Sequence, residues 1–140
     1  MNGAENVIAF PGGDEVAADD LVLVAPGDYS ALYVRHAGTL IFRTPKVRVD
    51  FRLLDYPQPV VLSRWYRVSD FRRGRIRAGR SSAIVREISA ALDRRVRCDR
   101  IPVAALEGHE VVVRVRTVTA DGAQTPLAEV NQYSVIERLL

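Results

Sequence analysis

Lys46-Val-Arg-Val-Asp-Phe-Arg-Leu-Leu54 is the most regular stretch of this 140-residue chain. Val47, Val49, Phe51 and Leu53 fall on one side of an extended backbone, and Lys46, Arg48, Asp50 and Arg52 on the other, because successive strand residues point to opposite faces. The pattern predicts a half-buried antiparallel strand whose apolar face turns inward and whose polar face displays cations outward. Downstream, Asp55-Tyr-Pro-Gln-Pro59 reads as a turn. Val60 to Ser69 then reads as another strand, with Trp65 and Arg67 on one face and Arg64 and Tyr66 on the other.

Upstream, Thr44-Pro45 reads as a break, Thr39 to Arg43 as a short strand and Gly38 as a turn. Tyr29 to His36 alternates, placing Tyr29, Ala31, Tyr33 and Arg35 on one face. Ala25-Pro-Gly-Asp28 turns the chain after the apolar run Leu21 to Val24. Residues 1–20 are glycine-rich and acidic and are expected to form a flexible leader, with residues 21–140 as a single domain. That length holds a hydrophobic core without disulfides or metals.

Past the strand at residues 60–69, Arg72, Arg73, Arg75, Arg77 and Arg80 stand in a loop punctuated by Gly74 and Gly79. Ser81 or Ser82 is the expected helix cap, and Ile84, Ile88, Ala91 and Leu92 follow as one apolar stripe. The helix is expected to fade near Arg94–Arg97. Ile101 to Gly108 reads as a connection with one helical turn, His109 to Thr119 as a β-branched strand, Ala120 to Ala123 as a turn, and residues 130–136 as a last strand.

Strands, then one helix, then strands is the order of an all-β fold with one helix: an OB-like Greek-key barrel, whose second and third strands carry the binding face. A β-sandwich, or an α+β sheet with a helix on its face, shares the order. The candidate ligand residues fall on the strands that the barrel reading assigns to binding: Lys46, Arg48 and Arg52, then Arg64, Trp65 and Arg67, then the loop arginines. Tyr29 and Tyr33 would extend a stacking track on the first strand.

The first 34 residues hold six carboxylates and no Lys or Arg, whereas residues 64–100 hold twelve arginines against four carboxylates. Lys46 is the one lysine. A GC-rich genome explains an arginine bias as well as function does, but not its clustering: five arginines in the nine residues 72–80 repel one another without an anion. Cations for phosphates and rings for unstacked bases are what single-stranded nucleic acid requires. Trp65 suits either a stacking platform or a core position, and Tyr66 on the opposite face covers the alternative.

Catalysis finds little support. His36 and His109 are far apart and lack metal-ligand spacing, and Cys98 is alone. No phosphate-loop, dinucleotide or nucleophile-elbow motif occurs. The chain is expected to be a cytoplasmic binding protein, not an enzyme, without cofactor or metal and without a membrane span.

Gly27-Asp-Tyr29, the Trp65-Tyr66 pair, a helix after a basic loop and the closing Gln132-Tyr-Ser-Val-Ile136 together resemble small proteins of phages and integrated mobile elements. Some of these are OB-fold single-stranded-DNA-binding proteins. The resemblance covers residues 26–140 and implies a DNA replication or recombination accessory that coats single strands, beside replication or recombination proteins; the apolar segments Leu21–Val24 and Val135–Leu140 would equally support a homodimer. Bacterial single-stranded-DNA-binding proteins end in an acidic recruiting tail; here the acidic segment lies at the other end, which puts such recruitment in doubt. The alternative is a protein-interaction or inhibitor module, for which Leu21–Val24 or Val135–Leu140 would supply the apolar surface.

Overall fold

β2 (Gly27–Ile41) is the spine of the sheet. Along one edge it pairs with β3 (Thr44–Leu53) from Ala31 to Ile41. Its other edge is shared by β5 (Glu110–Val118), which pairs over Gly27–Leu32, and β1 (Asn6–Ala9), which pairs over Ala37–Leu40. β4 (Val61–Arg67) flanks β3 and β6 (Tyr133–Leu139) flanks β5, giving the order β4-β3-β2-β5-β6 with every pair antiparallel. The one α-helix among the described residues is α1 (Ala83–Leu92). The described residues therefore form a mostly all-β, antiparallel fold with one α-helix. The structure, a computed structural model, describes residues 6–9, 22–120, 123–128 and 132–140. The leader outside Asn6–Ala9, and residues 121 and 122 of the expected turn, lie outside the described residues.

The alternation read from β3 sets the core. Val47, Val49 and Phe51 are fully buried, with Leu62 and Tyr66 beside them on β4 and Val113 on β5. Ile84, Val85 and Ile88 bring the apolar stripe of α1 onto this face, each buried aliphatic contributing roughly 1.5–3 kcal/mol. Ser82 is the cap, its Oγ accepting from the Val85 amide at 3.5 Å. Asp93, at φ 52°, ends the helix in the left-handed conformation.

β4 and β6, the two ends of the strand order, lie beside each other, yet no ladder joins them among the described residues. Glu87 of α1 fills the seam. Its Oε1 accepts from the Leu139 amide of β6 at 2.8 Å and from the Tyr66 hydroxyl of β4 at 2.8 Å. The Arg64 guanidinium of β4 donates to both carboxylate oxygens, at 3.2 and 2.7 Å.

Several expectations are corrected. Gly38 is no turn: it sits inside β2, paired with Val47 on one side and Ile8 on the other. The reversal is instead at Phe42-Arg43, a two-residue hairpin with both φ values positive, 48° and 64°, after which Pro45 is the second residue of β3, where its missing donor is tolerated. Irregular pairing between Tyr33 and Arg35 moves Arg35 to the opposite face from Tyr33, opposite Asp50. Asn6–Ala9, inside the stretch read as leader, is a strand of the sheet.

The polar face of β3 is only partly outward. Asp50 is fully buried and Arg48 nearly so; Asp50 meets Arg48 at 3.1 Å and Arg35 at 3.0 Å, and accepts from Ser63 Oγ at 2.6 Å. Burial raises the Asp50 carboxyl above its ordinary range, against the pull of Ser63, Arg48 and Arg35. No helix among the described residues is long and apolar enough to cross a membrane.

Candidate nucleic-acid interface

Register decides which side chains of β3 and β4 meet on the outer face. Arg52 stands opposite Val61, Asp50 opposite Ser63, Arg48 opposite Trp65 and Lys46 opposite Arg67. Toward the Lys46–Arg67 end this face is open. Trp65 is 38% exposed, while its neighbour Tyr66 faces the core at 2%. The Tyr66 hydroxyl, pushed well above the usual tyrosine range by burial and then by the Glu87 carboxylate, remains a donor to Glu87.

The hairpin between β2 and β3 overhangs the same end. Phe42, at its tip, is 84% exposed. Ile41, Phe42, Thr44, Lys46, Trp65, Tyr66 and Arg67 line one concavity of about 510 Å³. Two rings and two cations around an open depression can stack flat apolar groups and pair with anions beside them. Phe42 escaped the sequence reading, because a hairpin turn normally announces itself with Asn or Gly, and Phe42-Arg43 has neither.

A second basic feature follows directly from β4. Asp70 and Arg77 bridge the base of a lobe, with the Arg77 amide donating to the Asp70 carbonyl at 3.1 Å. Arg72–Gly74 form a short 3-10 turn at its tip. Ile76 is buried beneath, its carbonyl accepting from the Ile101 amide at 3.0 Å, and the Ala78 amide donates to the Cys98 carbonyl at 3.0 Å. Arg72, Arg73 and Arg75 are exposed and Arg77 is half-buried. These four and Asp99 line a concavity of about 590 Å³. Arg80, expected with them, lines a different depression of about 480 Å³ with Arg86 and Arg95 against α1.

The remaining expected residues lie elsewhere. Arg48 is spent on Asp50 inside the sheet. Arg64 is held by Glu87 at 2.7 Å, and its guanidinium lies 4.3 Å over the Tyr66 ring, so its charge belongs to the seam. Tyr29 and Tyr33 pair with Val113 and Phe51 on the core side, the opposite face from Trp65, so they do not extend its stacking track. Their hydroxyls are engaged too: Tyr29 donates to the Ala25 carbonyl at 2.6 Å, and Tyr33 meets His36 Nδ1 at 2.6 Å. Burial pushes Tyr33 up to about 12 and His36 down to about 4, which makes Tyr33 the donor and His36 a neutral acceptor. Arg52 is exposed on the outer face, as expected.

Among the described residues no three His, Cys, Asp or Glu side chains are grouped to hold a metal. Comparison with family models, with curated proteins and with solved structures finds no match to this chain.

Proposed function

We propose that the protein binds single-stranded nucleic acid, DNA in the first instance, with little sequence preference. The observation that carries this is the joint exposure of Trp65 and Phe42 in one concavity with Lys46 and Arg67. Bases stack on the rings, phosphates pair with the cations, and neither contact reads base edges. Arg52 extends the cationic surface along β3, and the arginine lobe forms a separate cationic concavity.

The strand order supports an OB-like reading of the fold. The strands that flank the seam approach each other, and a side chain of α1 spans the gap, as suits a partly open Greek-key barrel. In such a barrel the second and third strands and the first hairpin loop bind oligonucleotides; counting from β2, these are β3, β4 and the Phe42-Arg43 turn. A coat protein of a phage or mobile element, serving replication or recombination, fits these properties.

The test is fluorescence anisotropy of labelled poly-dT against a duplex of equal length, at low and moderate salt, with the emission of the single tryptophan followed in parallel. Tight, salt-sensitive binding to the single strand with tryptophan quenching is the expected result. Equal binding to both forms without quenching would leave only a general polyanion surface, and no binding at low salt would end the proposal.

A second reading has one observation in its favour. Val112 and Leu140 are exposed apolar residues brought together by a 2.8 Å bond from the Leu140 amide to the Val112 carbonyl. A docking role for that patch, in a homodimer or with another protein, predicts a monomer-only sedimentation profile for Leu140→Ser if wild-type protein dimerises through it.

A further inference from the structure

The arginine lobe is built differently from the rest of the cationic surface. Lys46 and Arg67 face each other at one end of the β3–β4 ladder and Arg52 stands at its other end, a spread-out arrangement that suits diester phosphates, each carrying one charge. In the lobe, Arg72, Arg73, Arg75 and Arg77 line a single concavity of about 590 Å³. The one carboxylate in its lining, Asp99, is already held by Arg97 through two bonds of 2.9 and 2.7 Å. Asp70 faces the Arg77 guanidinium at 3.6 Å and accepts from the Arg72 backbone amide at 3.3 Å. Three exposed guanidinium groups are left around one small space, with no carboxylate of the lining free to answer them.

The lobe is also held in shape for that purpose. Its base is bridged at Asp70–Arg77, and Ile76 is buried under it. Arg73, at φ 54° and ψ 39°, takes a left-handed conformation unfavourable for a residue with a Cβ, beside Gly74 at φ 73°. Strain of this kind persists where surrounding structure enforces it, and it clusters at ligand sites. Guanidinium forks pair with phosphate oxygens two at a time, so converging arginines suit a group with several terminal oxygens.

We propose that this concavity is a site for a multiply charged phosphate group: a phosphomonoester or a pyrophosphate, not a chain diester. Resting on the nucleic-acid reading above, it deepens it. The bound strand presents a phosphorylated end to the lobe, and its neighbouring bases reach the Trp65–Phe42 concavity. The chain geometry allows this. Arg67 and Arg72 are five residues apart, at most about 18 Å, and the Val68 amide donates to the Pro45 carbonyl at 3.1 Å, which ties the start of the lobe to β3. A terminal phosphate carries roughly one more half to full charge than a diester at neutral pH.

The experiment compares one oligo-dT carrying a 5′-phosphate, a 3′-phosphate or hydroxyls at both ends, and titrates inorganic pyrophosphate calorimetrically in parallel. One phosphorylated end should bind roughly tenfold or more tighter than the hydroxyl form, the effect of one added charge-assisted bond. Arg72→Gln with Arg75→Gln, both exposed and remote from the core, should abolish that preference and pyrophosphate binding while the hydroxyl oligonucleotide still quenches Trp65. Equal affinity for all three ends with no pyrophosphate binding overturns the site and leaves the single-strand reading standing. Pyrophosphate binding lost in the double variant, without any oligonucleotide binding, does the reverse and assigns the site to free polyphosphate.

Discussion

Trp65 and Tyr66 are adjacent in sequence and opposite in role. The alternation of β4 made their separation legible: one ring had to face inward, and the structure shows that it is Tyr66. Trp65→Ala should weaken poly-dT binding by about 1–3 kcal/mol, the range for loss of a stacked base, with little change in melting temperature. A large thermal destabilisation with unchanged affinity would instead make Trp65 a structural residue. Phe42 makes the contrasting case. It is almost wholly exposed at a positive φ, so it adds little to the core and strains the turn. Phe42→Asn, which suits such a turn, should leave urea-unfolding stability unchanged or raised by up to about 1 kcal/mol while lowering single-strand affinity. Loss of stability with intact binding would show that the ring serves the fold. Alternation along one strand assigns residues to faces but cannot say whether a face is wet. For that reason Arg48 and Asp50, outward by pattern, are buried: their partners Arg35 and Ser63 come from β2 and β4 and cannot be inferred from β3 alone.

Among the elements, α1 and β3 were the most legible, because their signals are local: a serine cap with an i, i+4 stripe, and a period of two. β2 was the least. A lone glycine and an irregularity in pairing each look like a break in a single sequence, and only the partners at β1, β3 and β5 show one fifteen-residue strand. The seam between β4 and β6 was likewise invisible, since it depends on Glu87 reaching two strands remote from it in the chain. Glu87→Ala removes the acceptor for the Leu139 amide and the Tyr66 hydroxyl and strands the Arg64 charge at a partly buried site. It should destabilise the protein by about 3 kcal/mol and speed hydrogen exchange at Leu139 before other β6 amides. Unaltered exchange there would mean that the seam is held by packing alone. The pairing irregularity in β2 has its own consequence, because it places His36 in the interior beside Tyr33. Its folded pKa of about 4 lies below the ordinary 6.5. The unfolded chain therefore binds the proton first, so the stability His36 contributes is complete above pH 6.5 and is lost as pH falls toward 4. The loss is on the order of 3 kcal/mol, offset in part by Asp50, whose raised carboxyl takes its proton earlier in the folded protein. His36→Gln should flatten the urea-unfolding profile between pH 6.5 and 4; a profile parallel to wild type would place the titration elsewhere.

For the molecule as a whole, a formal net charge of only +3 conceals a division. Much of the positive charge is not free. Arg35 and Arg48 are committed to Asp50, Arg64 to Glu87, Arg97 to Asp99 and Arg114 to Asp28. Among the described residues, what remains on the outer face, at the hairpin tip and in the lobe is a small set: Arg43, Lys46, Arg52, Arg67, Arg72, Arg73 and Arg75. Counting arginines in the sequence thus overstates the phosphate contacts, and salt dependence measures how many are real. Each single-strand phosphate neutralised contributes a slope of about −0.7 to log K against log salt concentration. If about five of these make contact with a strand that carries a phosphorylated end, the slope should lie near −3.5, and Arg72→Gln with Arg75→Gln should make it shallower by about 1.4, two contacts' worth, while leaving the slope of the hydroxyl-ended strand unchanged. Arg64→Gln and Arg48→Gln, by contrast, should leave the slope unchanged and lower the unfolding free energy, since their charges are bound within the fold. A slope that falls equally for all four substitutions would mean that the ion pairs at Glu87 and Asp50 open on binding, and that the strand runs across the whole outer face of β3 and β4.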